Sequence, residues 1–234
     1  MHLFYTPDIA KSNELPEEEA AHALRVLRLG VGDELTLTDG QGMFFQASIT
    51  AAANKRCQVS IQNATTWEKP WNGYIHLAMA PTKNIDRMEW LAEKATEIGL
   101  DELTFLDCRY SERRVVKTER IDKILVSAMK QSLKAVKPRL NDMIGFQKFV
   151  QMPFEGDKYI AHCNEGEKLQ LKDIRGIGSK TLVLIGPEGD FSTEEVAFAL
   201  ENGFKPVSLG KSRLRTETAA LVATHIINLK YQNP

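Results

Sequence analysis

Thr181-Leu-Val-Leu-Ile-Gly-Pro-Glu-Gly-Asp-Phe-Ser-Thr-Glu-Glu195 is the stretch that decides the fold. Its apolar run, Leu182 to Ile185, reads as a buried strand. The run stops at Gly186-Pro-Glu-Gly189, where Pro187 fixes its own φ and two glycines allow close backbone approach. Ser192, with Glu195 three residues on, has capping-box spacing and predicts a helix behind it. Strand, glycine turn and helix N-terminus together make a concave backbone surface at a strand's C-terminal end, where α/β folds bind ligands.

A second glycine turn follows at once. Lys205 to Leu209 reads as a short strand, and Gly210-Lys-Ser-Arg-Leu-Arg-Thr-Glu-Thr-Ala219 leads into a last helix that starts near Thr216 and runs through Leu229. That helix is apolar nearly all round, the pattern of a helix buried on more than one side. Two such units back to back suggest one bipartite site with two backbone rims. Turns of this kind also serve as plain connections, and spacing alone leaves both readings open.

The 234 residues suit one large or two modest domains, and 43% hydrophobic residues suffice for a packed core. No apolar run approaches the length that crosses a bilayer, so no membrane partner is expected. Met1-His-Leu-Phe-Tyr-Thr-Pro-Asp8 lacks the basic and apolar regions of a secretory signal. Cys57, Cys108 and Cys163 are odd in number and far apart, which argues against a disulfide framework and fits a reducing cytoplasm. His162 and Cys163 are adjacent, but neighbours on a strand point to opposite faces, so no metal site is expected.

Net charge is −1, which argues against nonspecific nucleic-acid binding. Between Phe105 and Arg139, however, ten basic residues face four acids, a local excess of six. Such a surface suits a polyanion; a solvated helix face is the plainer alternative.

Residues 1–70 read as a small β-rich domain. It has a strand over His2–Tyr5, a helix over Glu17–Leu27, and strands over Glu34–Thr38, Met43–Thr50 and Arg56–Gln62, suggesting a barrel or meander. It holds six Lys/Arg against nine Asp/Glu, so its basic residues would act singly. Residues 65–73 carry Pro and Gly without periodicity and read as a linker. Over residues 74–234 strands (Tyr74–Ala80, Leu103–Leu106, Tyr159–His162) alternate with helices (Asn84–Ile98, and Thr118–Val136 stopped by Pro138). That alternation predicts a mainly parallel sheet with helices on both faces.

Several familiar motifs fail. Gly210-Lys-Ser212 has no glycine at position 205 to complete a phosphate-binding loop. No G-x-G-x-x-G opens a helix, and no G-x-S-x-G marks a hydrolase nucleophile.

Ile185-Gly-Pro-Glu-Gly-Asp-Phe-Ser-Thr-Glu-Glu195 with Leu209-Gly-Lys-Ser-Arg-Leu-Arg-Thr-Glu-Thr-Ala219 closely resembles the RsmE family. These are uridine-N3 methyltransferases of small-subunit (16S) ribosomal RNA, within the SPOUT superfamily. His22-Ala-Leu-Arg-Val-Leu-Arg-Leu29, Gly32-Asp33, Asp39-Gly-Gln-Gly42, Lys94-Ala-Thr-Glu-Ile-Gly99 and Gln131-Ser132 extend the likeness over essentially the whole chain.

The resemblance implies an α/β SPOUT methyltransferase domain with a parallel sheet and a trefoil knot over 74–234, and a PUA-like RNA-binding β-barrel over 1–70. It implies S-adenosyl-L-methionine as cofactor, 16S rRNA of the small ribosomal subunit as partner, a homodimer and no metal. Ile185, Gly186, Glu188, Gly189, Leu209, Gly210, Leu214, Arg215 and Thr218 match the cofactor loops. Arg215 would stabilise charge on the uracil oxygens, and Glu217 would orient Arg215 or the cofactor. Arg25, Arg28, Arg109, Arg113 and Arg114 would meet RNA phosphates. Two positions depart from the family's usual pattern: Lys130 stands for Glu, and Asp190 for a second glycine. The alternatives are another SPOUT RNA methyltransferase, acting on a ribose 2′-oxygen or a tRNA base, and a non-catalytic RNA-binding assembly factor. Intact Gly186, Gly189, Gly210, Arg215 and Glu217 favour an enzyme.

Overall fold

A computed structural model of the chain describes residues 2–53 and 55–232. The chain forms two compact units: Met1–Lys69 with Val126–Lys137, and Pro70–Leu125 with Pro138–Pro234.

In the first unit, β1 (Leu3–Tyr5) precedes α1 (Glu17–Ala21), which runs on into a π-helical turn, His22–Val26. Strands β2 (Glu34–Thr38), β3 (Met43–Ala53) and β4 (Arg56–Thr66) follow. The sheet order is β1-β2-β3-β4, with β1 parallel to β2 and the other pairs antiparallel. Phe4, Leu37, Ala47, Ile49, Cys57 and Val59 pack with Ala20 and Ala23 as its core. β3 and β4 outrun their expected spans. Their far ends are exposed on both faces, so the pairing continues where no apolar alternation announces it.

The segment Val126–Lys137 joins this unit through backbone bonds. Gly42 N–H donates to the Ala135 carbonyl at 2.8 Å, and Lys137 N–H to that of Gly40 at 2.9 Å. Lys130 pairs with Glu19 at 2.5 Å. The helix that supplies it, α3, spans Thr118–Gln131 and not the expected Thr118–Val136. It ends in a Schellman-type turn: Leu133 sits at φ 53 and Lys134 N–H reaches back to the Met129 carbonyl at 3.0 Å. A leucine, not a glycine, takes the left-handed position, so the stop left no mark in the sequence.

The second unit contains β5 (Tyr74–Met79), α2 (Ile85–Ile98), β6 (Glu102–Asp107), β7 (Arg139–Gly145), α4 (Phe146–Val150), β8 (Asp157–Ala161) and β9 (Leu169–Gln170). A 3-10 turn, Leu171–Asp173, leads to β10 (Lys180–Ile185), α5 (Thr193–Glu201), β11 (Lys205–Ser208) and α6 (Thr216–Gln232). The seven strands are all parallel, in the order β7-β6-β5-β10-β8-β11-β9. β10 shows how the two faces are covered. Leu182 and Leu184 join Phe146, Phe149, Phe191, Val196 and Ala199 in one core. Thr181, on the opposite face, meets the Tyr231 hydroxyl of α6 at 2.6 Å. α6 also packs on α2 and β5. The sheet therefore has helices on both faces, as the alternation predicted. β7, α4 and β9 are additions; Arg139-Leu-Asn-Asp-Met-Ile-Gly145 is too polar to read as a strand.

Candidate active site

Three loops at the C-terminal ends of the parallel strands meet at the backbone of Lys83. Its N–H donates to Glu188 Oε1 at 2.9 Å. Its carbonyl accepts from Arg113, Nη2 at 2.6 Å and Nε at 3.2 Å, and the same Nε lies 3.2 Å from the Thr82 carbonyl. One peptide segment after β5 is thus held by a carboxylate from the loop after β10 and a guanidinium from the loop after β6. Both contacts are charge-assisted, the strong class of hydrogen bond.

The predicted capping box at the head of α5 is present. Ser192 Oγ accepts from Glu195 N–H at 3.2 Å, and Glu195 Oε2 from Ser192 N–H at 2.9 Å. Glu195 has a second duty, since its Oε1 accepts the Arg109 N–H at 2.8 Å. The cap therefore also fixes the loop after β6. In that loop Cys108 is buried, and burial pushes its thiol far above the ordinary range, which removes it as a nucleophile.

The glycines of the loop after β10 answer close approaches. A Cβ on Gly186 would lie 3.0 Å from the Phe191 nitrogen, and one on Gly189 would lie 3.2 Å from Tyr110 Cβ. Asp190, where a glycine is usual in the resembling family, has φ 66. Its carboxylate accepts from Phe191 N–H at 2.8 Å and from Cys163 N–H at 2.7 Å. Asp is among the few residues that tolerate this conformation, through local hydrogen bonds of this kind. In the loop after β11, Gly210 takes φ +131 beside open space; Leu209 and Leu214 are half-buried.

Arg215 is exposed at the head of α6, with its carbonyl accepting Ala219 N–H at 2.8 Å. Glu217 is 7% exposed. Its Oε1 lies 3.3 Å from Arg87 Nη1, and its buried Oε2 has no hydrogen-bond partner among the described residues. Glu217 is thus held by Arg87, in the first turn of α2. No motif or spacing pointed to Arg87. Thr218 is half-buried in the same helical turn, and Ile185 ends β10 fully inside the sheet.

The basic segment is less free than its composition implies. Arg109 pairs with Glu194 at 3.0 Å, Arg114 with Asp107 at 2.6 Å and Arg120 with Glu89 at 2.6 Å. Arg113 is turned onto carbonyls, as described. Glu194 and Glu89 come from outside the segment, so a count over that segment alone overstates the open charge. Arg25 and Arg28 are exposed in the first unit. A cleft of about 510 Å³ lies beside the second-unit arginines, lined by Arg109, Arg114, Lys148, Phe146 and Phe198.

This arrangement, a parallel α/β sheet with clasped loops at its C-terminal edge and a small sheet-bearing unit before it in the chain, is that of an α/β enzyme with its site at the strand ends. Comparison with known proteins gives the family. The RNA methyltransferase domain family matches residues 68–228, and the RNA methyltransferase PUA domain family matches residues 15–62. A protein from Porphyromonas gingivalis called "probable rRNA-methyltransferase" is 49% identical, with a TM-score of 0.94, over 99% of this chain and 98% of that one. A ribosomal RNA small subunit methyltransferase E from Neisseria gonorrhoeae, solved bound to S-adenosyl methionine, is 32% identical with a TM-score of 0.84, over 96% and 95%. A ribosomal RNA small subunit methyltransferase E from Rickettsia conorii is 29% identical over 92% of this chain and 89% of its own length. The chain belongs to the RsmE family of RNA methyltransferases.

Proposed function

We propose that this chain transfers the methyl group of S-adenosyl-L-methionine to N3 of a specific uridine in the 16S rRNA of the small ribosomal subunit, in the cytoplasm and as a homodimer. What carries the reading is the head of α6: an exposed arginine two residues from a buried, arginine-held carboxylate.

The residues fit the methyl donor. Gly186 and Gly189 let the loop after β10 pack tightly on Phe191 and Tyr110, and Glu217 keeps a buried acceptor oxygen open among the described residues. Ile185, Gly186, Glu188, Gly189, Leu209, Gly210, Leu214, Arg215 and Thr218 would hold it; when bound, it supplies an electrophilic methyl on a sulfonium. The chain's own task is alignment and charge control. Uridine N3 carries a proton at neutral pH, so the transition state gathers negative charge on the uracil ring. Arg215, exposed and with no side-chain partner among the described residues, would stabilise that charge. Arg87 fixes Glu217, and Glu188 with Arg113 fixes the floor of the site at Lys83.

In this reading residues 1–70 act as a PUA-like grip on RNA, with Arg25 and Arg28 touching phosphates. Arg109 and Arg114 do the same from the catalytic domain (residues 74–234), exchanging their exposed ion pairs for phosphate contacts. Exposed pairs of this kind are worth little and are easily exchanged. Arg113 shares the RNA assignment with its loop-holding duty. The path from β11 back to α6, which packs on α2, β5 and β10, supports the trefoil knot. The half-exposed apolar residues Leu221, Val222, Ile226 and Leu229 along α6 support the dimer.

The test is transfer of labelled methyl from S-adenosylmethionine to unmethylated small subunits and, separately, to protein-free RNA. Label recovered as 3-methyluridine is the expected result. Label in a ribose or in tRNA would redirect the assignment, and no cofactor binding would favour the assembly-factor alternative.

A further inference from the structure

The residues after α1 present two valines to water on a frame that holds them there. The helix runs on through the π-helical turn His22–Val26. Leu27 N–H closes it on the His22 carbonyl at 3.0 Å, and Leu29 N–H on the Ala23 carbonyl at 3.0 Å. Leu24, Leu27 and Leu29 pack against the core of the first unit, while Arg25, Val26 and Arg28 are exposed. A tight turn follows, with Val31 at its tip. Asp33 N–H donates to the Gly30 carbonyl at 3.1 Å, and Gly30 N–H to the Asp33 carboxylate at 2.7 Å. Gly32, at φ 95, donates its N–H to the Ile49 carbonyl at 2.8 Å.

Val26 is 68% and Val31 66% exposed, more than any other large apolar residue described in the first unit. A single exposed valine is ordinary on a protein surface. Two on one short segment, on either side of a strained residue, are not. Arg28 lies between them at φ 58, a left-handed conformation that disfavours side chains and is kept because the leucine anchors fix the chain around it. π-helical turns and strain of this kind collect where a chain meets a ligand.

The arginines indicate which ligand. Arg28 has no side-chain partner among the described residues, and Arg25 feels only Glu17, which is itself bonded to Lys55. By contrast Arg109, Arg114 and Arg120 are ion-paired and Arg113 sits on carbonyls. Two uncommitted cations thus alternate with two exposed valines along the chain. RNA is the complementary polymer: the cations fit its phosphates, and small apolar side chains fit between bases that they push apart. The reaction needs such a step. Uridine N3 lies on the pairing edge of the base, so it is out of reach in a paired, stacked uridine.

We infer that the segment after α1 is a wedge: Arg25 and Arg28 seat on phosphates while Val26 and Val31 enter the stack and open a base step of the bound RNA. This rests on the RNA reading above and adds what the first unit does to the RNA besides hold it.

Fluorescence of 2-aminopurine, which brightens when the base is unstacked, tests it. The probe is an oligoribonucleotide spanning the uridine that accepts the methyl label, with the analogue placed in turn at each flanking position. The unaltered protein should brighten one or more positions several-fold. The double variant Val26→Ser, Val31→Ser should abolish that rise. It should also weaken RNA binding by about tenfold or more, the low end of what burying one exposed valine contributes, with its salt dependence unchanged. Arg25→Ala with Arg28→Gly should instead lower the slope of log affinity against log salt by roughly one to two. A flat signal with the unaltered protein, or a rise that survives in the serine variant, overturns the proposal. So does a serine variant that keeps its RNA affinity and loses only its binding to whole small subunits, which would put a ribosomal protein against the valines. If the unaltered protein methylates no RNA, the RNA reading itself fails and takes the wedge with it. A protein that methylates RNA while the probe stays dark overturns the wedge alone. The signal from the unaltered protein decides the matter even if the serine variant misfolds.

Discussion

Asp190 holds a left-handed backbone and two N–H groups at once. Asp190→Gly keeps the backbone geometry and loses both bonds. Asp190→Ala loses them and adds left-handed strain of about 1–2 kcal/mol. Thermal unfolding should therefore rank the alanine variant below the glycine variant, and the reverse order would disprove this account of the position. With cofactor at saturating concentration, Arg215→Ala should lower single-turnover methyl transfer by about 10²–10³, the usual cost of removing one donor to a developing anion. Near-normal turnover would remove Arg215 from the chemistry. Arg87→Ala leaves the Glu217 carboxylate buried and alone, a loss of about 1–3 kcal/mol. In urea unfolding, adding Glu217→Gln to Arg87→Ala should recover part of that loss, because the unpaired charge is gone; strict additivity would contradict the pairing. Arg215 and Glu217 could be named as candidates because they lie in one motif. Arg87 could not, because its partner is 130 residues away along the chain.

At the level of elements, the head of α5 does two jobs through one carboxylate. Ser192→Ala removes a side-chain cap, costing about 1 kcal/mol. Glu195→Ala removes the reciprocal half of the box and also releases the Arg109 N–H. Chemical denaturation should find Glu195→Ala the more damaging of the two, and equal losses would mean that the Arg109 bond adds nothing. α5, β10 and α6 were readable because apolar periodicity and local caps agree there. The end of α3 was not, since Leu133 adopts a turn conformation that glycine usually signals. β7 was hidden for another reason: Asn141 is held by its neighbours, donating to Glu102 at 2.6 Å and to Thr104 at 2.8 Å. Such cross-strand polar pairing leaves no alternating pattern in a single sequence.

For the molecule as a whole, acid sensitivity should follow His76. It is buried within β5, 2.8 Å from the Thr104 hydroxyl and edge-on to Phe149. Burial lowers its pKa from 6.5 to about 4. Between those values the unfolded chain binds a proton that the folded chain does not. This contribution to stability is thus full above about pH 6.5 and is lost as pH falls toward 4, with a slope of up to about 1.4 kcal/mol per pH unit. His76→Gln should flatten urea-derived stability over that range; an unchanged slope would assign the acid sensitivity to other groups. The general shape of the site, glycine loops at strand ends, could be read in advance, because turns and caps are local. Which loop clasps which could not. The bonds from Glu188 and Arg113 to Lys83 join segments that only the finished sheet brings together.

The pairing of Tyr74 in β5 with Lys180 in β10 has a consequence for how the protein is made. More than a hundred residues separate the two strands. During synthesis at about 5–20 residues per second, the β10-facing edge of β5 stays bare for on the order of five to twenty seconds. β5 is among the most apolar strands of the sheet, Tyr74-Ile-His-Leu-Ala-Met79, and an unpaired apolar edge is a template for pairing with another chain. The nascent polypeptide is therefore a natural client for holding chaperones over that interval, and crowding on polysomes is where it is most prone to aggregate.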